Sequence, residues 1–169
     1  EGPPSSTQYG LTETYNGSTW VEGNNLNTAR TAIAGGGIVT AAIGIAGQTG
    51  GAGATFTGKT ETYDGSSWAE ITALNTARSY PMALVTSTTD AIAAGGTVYP
   101  GNTSQSVTEK WNGTSWTEVA DLATARYNGT GIGNTSAGLA AGGGTSAAGS
   151  TTTEVWSDPV YTIKTVTVS

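Results

Sequence analysis

Four glutamates stand at a near-regular interval. Glu13, Glu61 and Glu109 recur every 48 residues, and Glu154 follows Glu109 by 45. Carboxylates can serve as general acid and base or hold a metal. Glycoside chemistry, however, needs two of them about 5–9 Å apart, and one glutamate per repeat spreads them around a repeating fold. Each also lies two residues before an aromatic: Tyr15, Tyr63, Trp111 and Trp156. On a strand, that spacing puts glutamate and ring on one face, the mark of a recurring structural anchor. Arg30, Arg78 and Arg126 keep the same 48-residue interval. They are the expected partners, with charge-assisted bonds between neighbouring units tying one repeat to the next.

Other chemistry has few tools. The chain contains no His and no Cys, so an imidazole base, a thiolate nucleophile and a disulfide are all absent, and no cofactor, metal or catalytic residue is assigned. GATFTGKT at 53–60 matches the phosphate-loop pattern through Gly53, Gly58, Lys59 and Thr60. That pattern works only where a helix N-terminus follows to meet the phosphates. Here ETYDGSSW follows, a strand and a tight turn, and the other copies lack the Gly-Lys-Thr ending. Asn16, Asn102, Asn112, Asn128 and Asn134 each begin an Asn-x-Ser/Thr sequon, but Asn beside Gly, Ser or Thr is also what turns favour. Glycosylation would matter only in a eukaryotic secreted protein.

Composition narrows the class further. Of 169 residues, 36% are hydrophobic and only 11% charged, with 26 glycines. Disorder goes with high net charge and few aromatics, whereas five Trp and seven Tyr, many at repeating positions, argue for a packed body. The net charge of −6 and the absence of any basic run exclude a nucleic-acid partner. IAGGGIVTAAIGIAG at 33–47 is too short and glycine-broken to cross a bilayer as a helix, so no membrane insertion is expected.

The elements that must position these residues are legible in the repeat itself. TETYNGSTW at 12–20 returns as TETYDGSSW at 60–68 and TEKWNGTSW at 108–116, with a weaker TTEVW at 152–156. Leu26, Leu74 and Leu122 keep step. Within 74–121, SYPMALVT reads as an inner strand and AIAAGG as a second. After the loop at 97–106, VTEKW and TSWTEV read as a hairpin turned by Asn112-Gly113. Glycine runs at 35–37, 95–96 and 142–144 count against helical repeats. Four short antiparallel strands per unit predict an all-β propeller, with a parallel β-helix as the rival. The expected organisation is a linker at 1–11 and a repeat domain at 12–169. That domain divides into a half blade at 12–25 and units at 26–73, 74–121 and 122–169, with YTIKTVTV at 161–168 as the last fourth strand and ring closure open. Trp20, Trp68 and Trp116 are expected to bury their rings between blades.

The order of these features resembles the kelch repeat. The first unit carries Arg30, Gly47-Gln48, Tyr63 and Trp68; the second Arg78, Gly95-Gly96, Trp111 and Trp116; the third Arg126, Gly142–Gly144 and Trp156. Departures are Gln48 for the second glycine, Trp111 and Trp156 for tyrosine, and SDPVYTIK in place of the last Trp. The likeness runs from residue 12 to 156. The wording of TETYNGSTW and LNTAR is also similar to kelch-like arrays in tailed-bacteriophage virion proteins. That resemblance implies a non-enzymatic structural or adhesive module of a tail, fibre or capsid decoration, located in a virion or extracellularly. Its partners would be its own copies or other virion proteins. The alternative is a secreted or cell-surface carbohydrate-binding, lectin-like propeller. Its glycans would meet the variable, uncharged, hydroxyl-rich loops at 49–58 with Phe56, 97–106 with Tyr99, and 145–151.

Overall fold

The structure is a computed structural model and describes residues 8–50, 55–145 and 147–158. All regular structure in these residues is β. A two-stranded hairpin comes first, β1 (Glu13–Tyr15) with β2 (Trp20–Glu22). Then follows a four-stranded sheet of β3 (Ala34–Ile38), β4 (Ala41–Ile45), β7 (Thr60–Tyr63) and β8 (Trp68–Ile71). Between its middle strands sits the small hairpin of β5 (Gln48–Thr49) and β6 (Thr55–Phe56). The next four-stranded sheet, β9 (Met82–Ser87), β10 (Asp90–Ala94), β13 (Thr108–Trp111) and β14 (Trp116–Glu118), carries an equivalent hairpin, β11 (Thr97–Val98) with β12 (Thr103–Ser104). A third sheet contains β15 (Thr130–Gly133), β16 (Ala137–Ala141) and β17 (Thr153–Ser157). Neighbours pair antiparallel throughout. The result is a propeller-like stack of sheets whose strand number varies; the fourth strand expected at 161–168 lies outside the described residues.

Local sequence explains the turns. In each outer hairpin the second turn residue is a glycine at positive φ, Gly17 (99°), Gly65 (94°) and Gly113 (92°), which an L side chain rarely tolerates. The residue before it caps the turn from within. Asn16 Oδ1 accepts from the amides of Ser18 and Thr19, and Asn112 Oδ1 from Thr114 and Ser115, each at 2.9–3.0 Å. Asp64 does the same with Ser66 and Ser67, so Asn and Asp are interchangeable here.

One expected equivalence shifts by a residue. The structural counterpart of Gly95-Gly96 is Ala46-Gly47, not Gly47-Gln48. The amides of Ala46 and Gly95 donate to the carbonyls of Lys59 and Val107, and those of Gly47 and Gly96 to Arg78 and Arg126. The cause is a bulge between Asp90 and Ala91, which adds one residue to the inner hairpin of the second sheet. Ala46 therefore takes φ 59°, beside 65° at Gly95 and 64° at Gly142.

Small residues let the sheets approach closely. A methyl on Gly131 would overlap the Ala83 carbonyl, and one on Gly36 would press on Val85 at 3.0 Å, so β3, β9 and β15 lie side by side as inner strands. Between the first two sheets the core is Ile43, Ile45, Ala46, Leu74, Ala91, Ala93, Trp111 and Trp116. The repeated ring pairs Tyr15–Trp20, Tyr63–Trp68 and Trp111–Trp116 all meet across their hairpins at 5.1–5.5 Å. Their burial differs with place. Trp116 is 5% exposed and donates through Nε1 to the Thr72 carbonyl of the preceding sheet, and Trp68 is half-buried. Trp20, expected inside, is 66% exposed, because no described sheet lies on that side of the first hairpin.

Candidate functional site

The regular residues come first, because their geometry shows what they are occupied with. Arg78 Nη1 sits 2.9 Å from Glu109 Oε1, Arg126 Nη2 2.9 Å from Glu154 Oε1, and Arg30 Nη2 3.2 Å from Glu61 Oε1. Each ion pair lies within one unit. The unit-to-unit link runs instead through the arginine backbone: the Arg78 and Arg126 carbonyls accept from Gly47 and Gly96 of the preceding sheet. Each glutamate also holds the segment that crosses between sheets. Glu109 accepts from the amides of Asn75 and Thr76 and from Asn75 Nδ2, and Glu61 accepts the same set from Asn27 and Thr28. Burial pushes the Arg30 and Arg78 guanidiniums down from their ordinary range, opposed by the charge of Glu61 and Glu109 respectively. In Glu61 and Glu109 each carboxylate oxygen thus has two partners and is occupied with structure. Glu13, on the exposed first hairpin, has no arginine counterpart among the ion pairs. Among the described residues no three His, Cys, Asp or Glu side chains gather as a metal site.

A different set of residues converges at the ends of the inner strands. Ala32, Tyr80 and Asn128 occupy the same place in successive units, all in the left-handed region at φ 56°, 54° and 55°. The Tyr80 amide donates to the Ala32 carbonyl and the Asn128 amide to the Tyr80 carbonyl, both at 2.9 Å. The connections before β3 and β9 pair with the small hairpins through Thr31–Gln48 and Ser79–Thr97 bridges, and the connection before β15 pairs with the segment after β16 through Tyr127–Gly144. Between them lies a cleft of about 460 Å³ lined by Gln48, Phe56, Tyr80, Thr97, Asn102, Tyr127 and Asn128. Tyr80 and Tyr127 meet at 6.2 Å, and Phe56 meets Tyr99 edge-on at 6.1 Å. Tyr99 is 68% exposed.

The cleft combines aromatic faces with three amide side chains and hydroxyls, groups that both donate and accept. Phe56 of the lining and Tyr99, which meets it from outside the cleft, lie on the loops singled out from the sequence, and the structure brings them into contact although they come from different units. Tyr80 and Tyr127 were missed. Their signal was a break in the repeat: Tyr80 stands where the other units have Ala32 and Asn128, and Tyr127 where they have Thr31 and Ser79. Because the residue at this position differs in every unit while its backbone conformation recurs, the Tyr80 ring itself is not what the turn requires.

The phosphate-loop match resolves as architecture. Gly58, Lys59 and Thr60 lead into strand β7, and Lys59 is paired with Glu70; Gly53 lies outside the described residues. No helix among the described residues is long and apolar enough to cross a membrane.

No protein-family model matches the sequence, and no curated protein matches it. The fold is similar to a solved structure of YjhT, with a TM-score of 0.73 and 15% identity over 88% of this chain. The chain spans about half, 50%, of the length of YjhT. That match overturns the identification with the kelch-repeat proteins of phage virions, since YjhT, the solved structure it resembles, is not a virion component. The readings built on that resemblance fall with it: the structural or adhesive virion role, the virion location, self-association and virion-protein partners, and the exclusion of enzymatic activity. The physical reason is plain in the geometry. TETYNGSTW sets a hairpin turn and its ring pair, and LNTAR sets the segment that a glutamate clamps. Stacked antiparallel sheets need both tasks done, so these phrases specify a fold and do not single out a family.

Proposed function

We propose that the protein is a carbohydrate-binding, lectin-like propeller acting outside the cell, with its ligand in the cleft between Phe56, Tyr80 and Tyr127. One observation carries this reading. Four aromatics that break the repeat, Phe56, Tyr80, Tyr99 and Tyr127, gather on one rim together with Gln48, Asn102 and Asn128. A concave site with flat apolar faces and a few convergent polar groups is what small-ligand recognition requires. A pyranose ring presents both matching surfaces, a C–H face for an aromatic ring and hydroxyls for amides. In this reading Phe56 and Tyr99 are loop contacts, and Tyr80 and Tyr127 form the stacking floor.

The recurring residues have a separate task. Glu61, Glu109 and Glu154 with Arg30, Arg78 and Arg126 hold the crossing segments, and Tyr63, Trp68, Trp111, Trp116 and Trp156 pack the sheets. Glu13, Tyr15 and Trp20 repeat the pattern on the first hairpin. In this reading a repeat domain at 12–169 divides at about 26, 74 and 122 into four-stranded blades and follows a linker at 1–11, of which residues 1–7 and 159–169 lie outside the described residues. Glycan-array screening of this chain, followed by calorimetry on the hits, tests the function. Specific binding that the Tyr80→Ala/Tyr127→Ala double variant loses while keeping its β-sheet circular dichroism supports it. An array without signal, or a signal indifferent to the double variant, sinks it.

A further inference from the structure

We infer that the cleft selects neutral sugars and rejects acidic ones. This rests on the carbohydrate-binding reading and goes beyond it by naming the ligand's charge class. The residues that line the cleft carry amides, hydroxyls and aromatic rings, and none carries a formal charge. Anionic sugars, those bearing a carboxylate, sulfate or phosphate, are held by cations, most effectively by the fork of an arginine. Here every Lys and Arg among the described residues is already engaged. Arg30, Arg78 and Arg126 are buried against Glu61, Glu109 and Glu154, Lys59 is paired with Glu70, and Lys110 with Asp158.

Two further effects act in the same direction. The chain carries a net charge of −6, so its field disfavours the approach of an anion. An ionised group entering a cleft without a counter-charge also loses hydration that neutral amides and hydroxyls replace poorly. A neutral ring loses less: its hydroxyls exchange water for the amides of Gln48, Asn102 and Asn128, and its C–H face covers the tyrosines. A neutral ligand in an uncharged lining also has a thermodynamic signature, because binding without ion pairing is insensitive to salt.

The test uses matched pairs of oligosaccharides on the intact chain: neutral hexose oligomers against the same oligomers carrying a terminal sialic acid or a uronic acid. Calorimetry at about 50 and 500 mM salt, a range over which screening changes strongly, reads both affinity and salt dependence. Neutral ligands binding at least tenfold tighter, with affinity unchanged by salt, support the inference. A Gln48→Lys variant places a cation in the lining and is expected to bring the acidic partner to parity. Equal or tighter binding of the acidic member by the unaltered chain, weakening at high salt, overturns the inference while leaving carbohydrate binding in place. Failure of both members and of the whole array instead removes the carbohydrate reading on which it rests.

Discussion

Arg78 and Glu109 face each other at 2.9 Å with side-chain exposures of 0% and 1%, whereas Glu154, paired with Arg126 at the same distance, is 22% exposed. The repeat thus places one chemical pair in two dielectric settings. Both glutamates organise the backbone that crosses between sheets, but only Glu109 does so entirely away from water.

Removing Glu109 strands a buried guanidinium and frees three donors of Asn75 and Thr76. Glu109→Ala is expected to destabilise by about 3–5 kcal/mol, the cost of an uncompensated buried charge. Glu154→Ala is expected to cost roughly half as much, since water reaches its site. Urea denaturation of the two variants measures the difference, and equal costs would show that burial does not set the value of this pair.

The tryptophans of the outer hairpins give a second contrast. Trp116 is packed among Ile43, Ile45 and Leu74 and hydrogen-bonded to Thr72, so Trp116→Ala is expected to cost about 3–5 kcal/mol. Trp20, 66% exposed, is expected to cost under about 1 kcal/mol on the same change. Chemical denaturation followed by circular dichroism decides it.

Tyr80 separates binding from stability. Its φ of 54° is a strained conformation that glycine adopts freely, so Tyr80→Gly trades a partly exposed ring for relief of that strain. The expected change in stability is less than about 1 kcal/mol in either direction, while glycan affinity falls about tenfold through loss of the ring that meets Tyr127. Parallel thermal melts and calorimetry test both halves.

Asp64 makes the outer turn of the first four-stranded sheet sensitive to acid. Hydrogen bonds from the amides of Ser67 and Ser66 hold its carboxyl below the usual carboxylate range. A carboxylate with a depressed folded pKa stabilises above its unfolded value, near pH 4, and that contribution disappears as pH falls through the folded value. Asp64→Asn copies Asn16 and Asn112. It is expected to leave the denaturation midpoint at pH 7 unchanged and to flatten the decline below about pH 4. A denaturation series from pH 7 to pH 2 checks the sign.

The sequence by itself determined the all-β architecture and the hairpin turns. These follow from short-range rules: an Asn-Gly or Asp-Gly pair needs only its own backbone to turn, and alternation on one strand puts Glu61 and Tyr63 on the same face. Ladder positions that depend on a bulge were not legible, which is why Ala46 and not Gln48 joined the left-handed pair.

Tertiary structure decided everything that depends on which sheet lies next to which. It alone left Trp20 in solvent while burying Trp116, although the two sit in nearly identical phrases, because a ring is buried by its neighbouring sheet and not by its own hairpin. It alone drew Phe56, Tyr80, Tyr99 and Tyr127 to one rim, since residues from separate units meet only when the inner strands stack. A repeat encodes its own unit locally; the cleft between units exists only after packing has set their order and spacing.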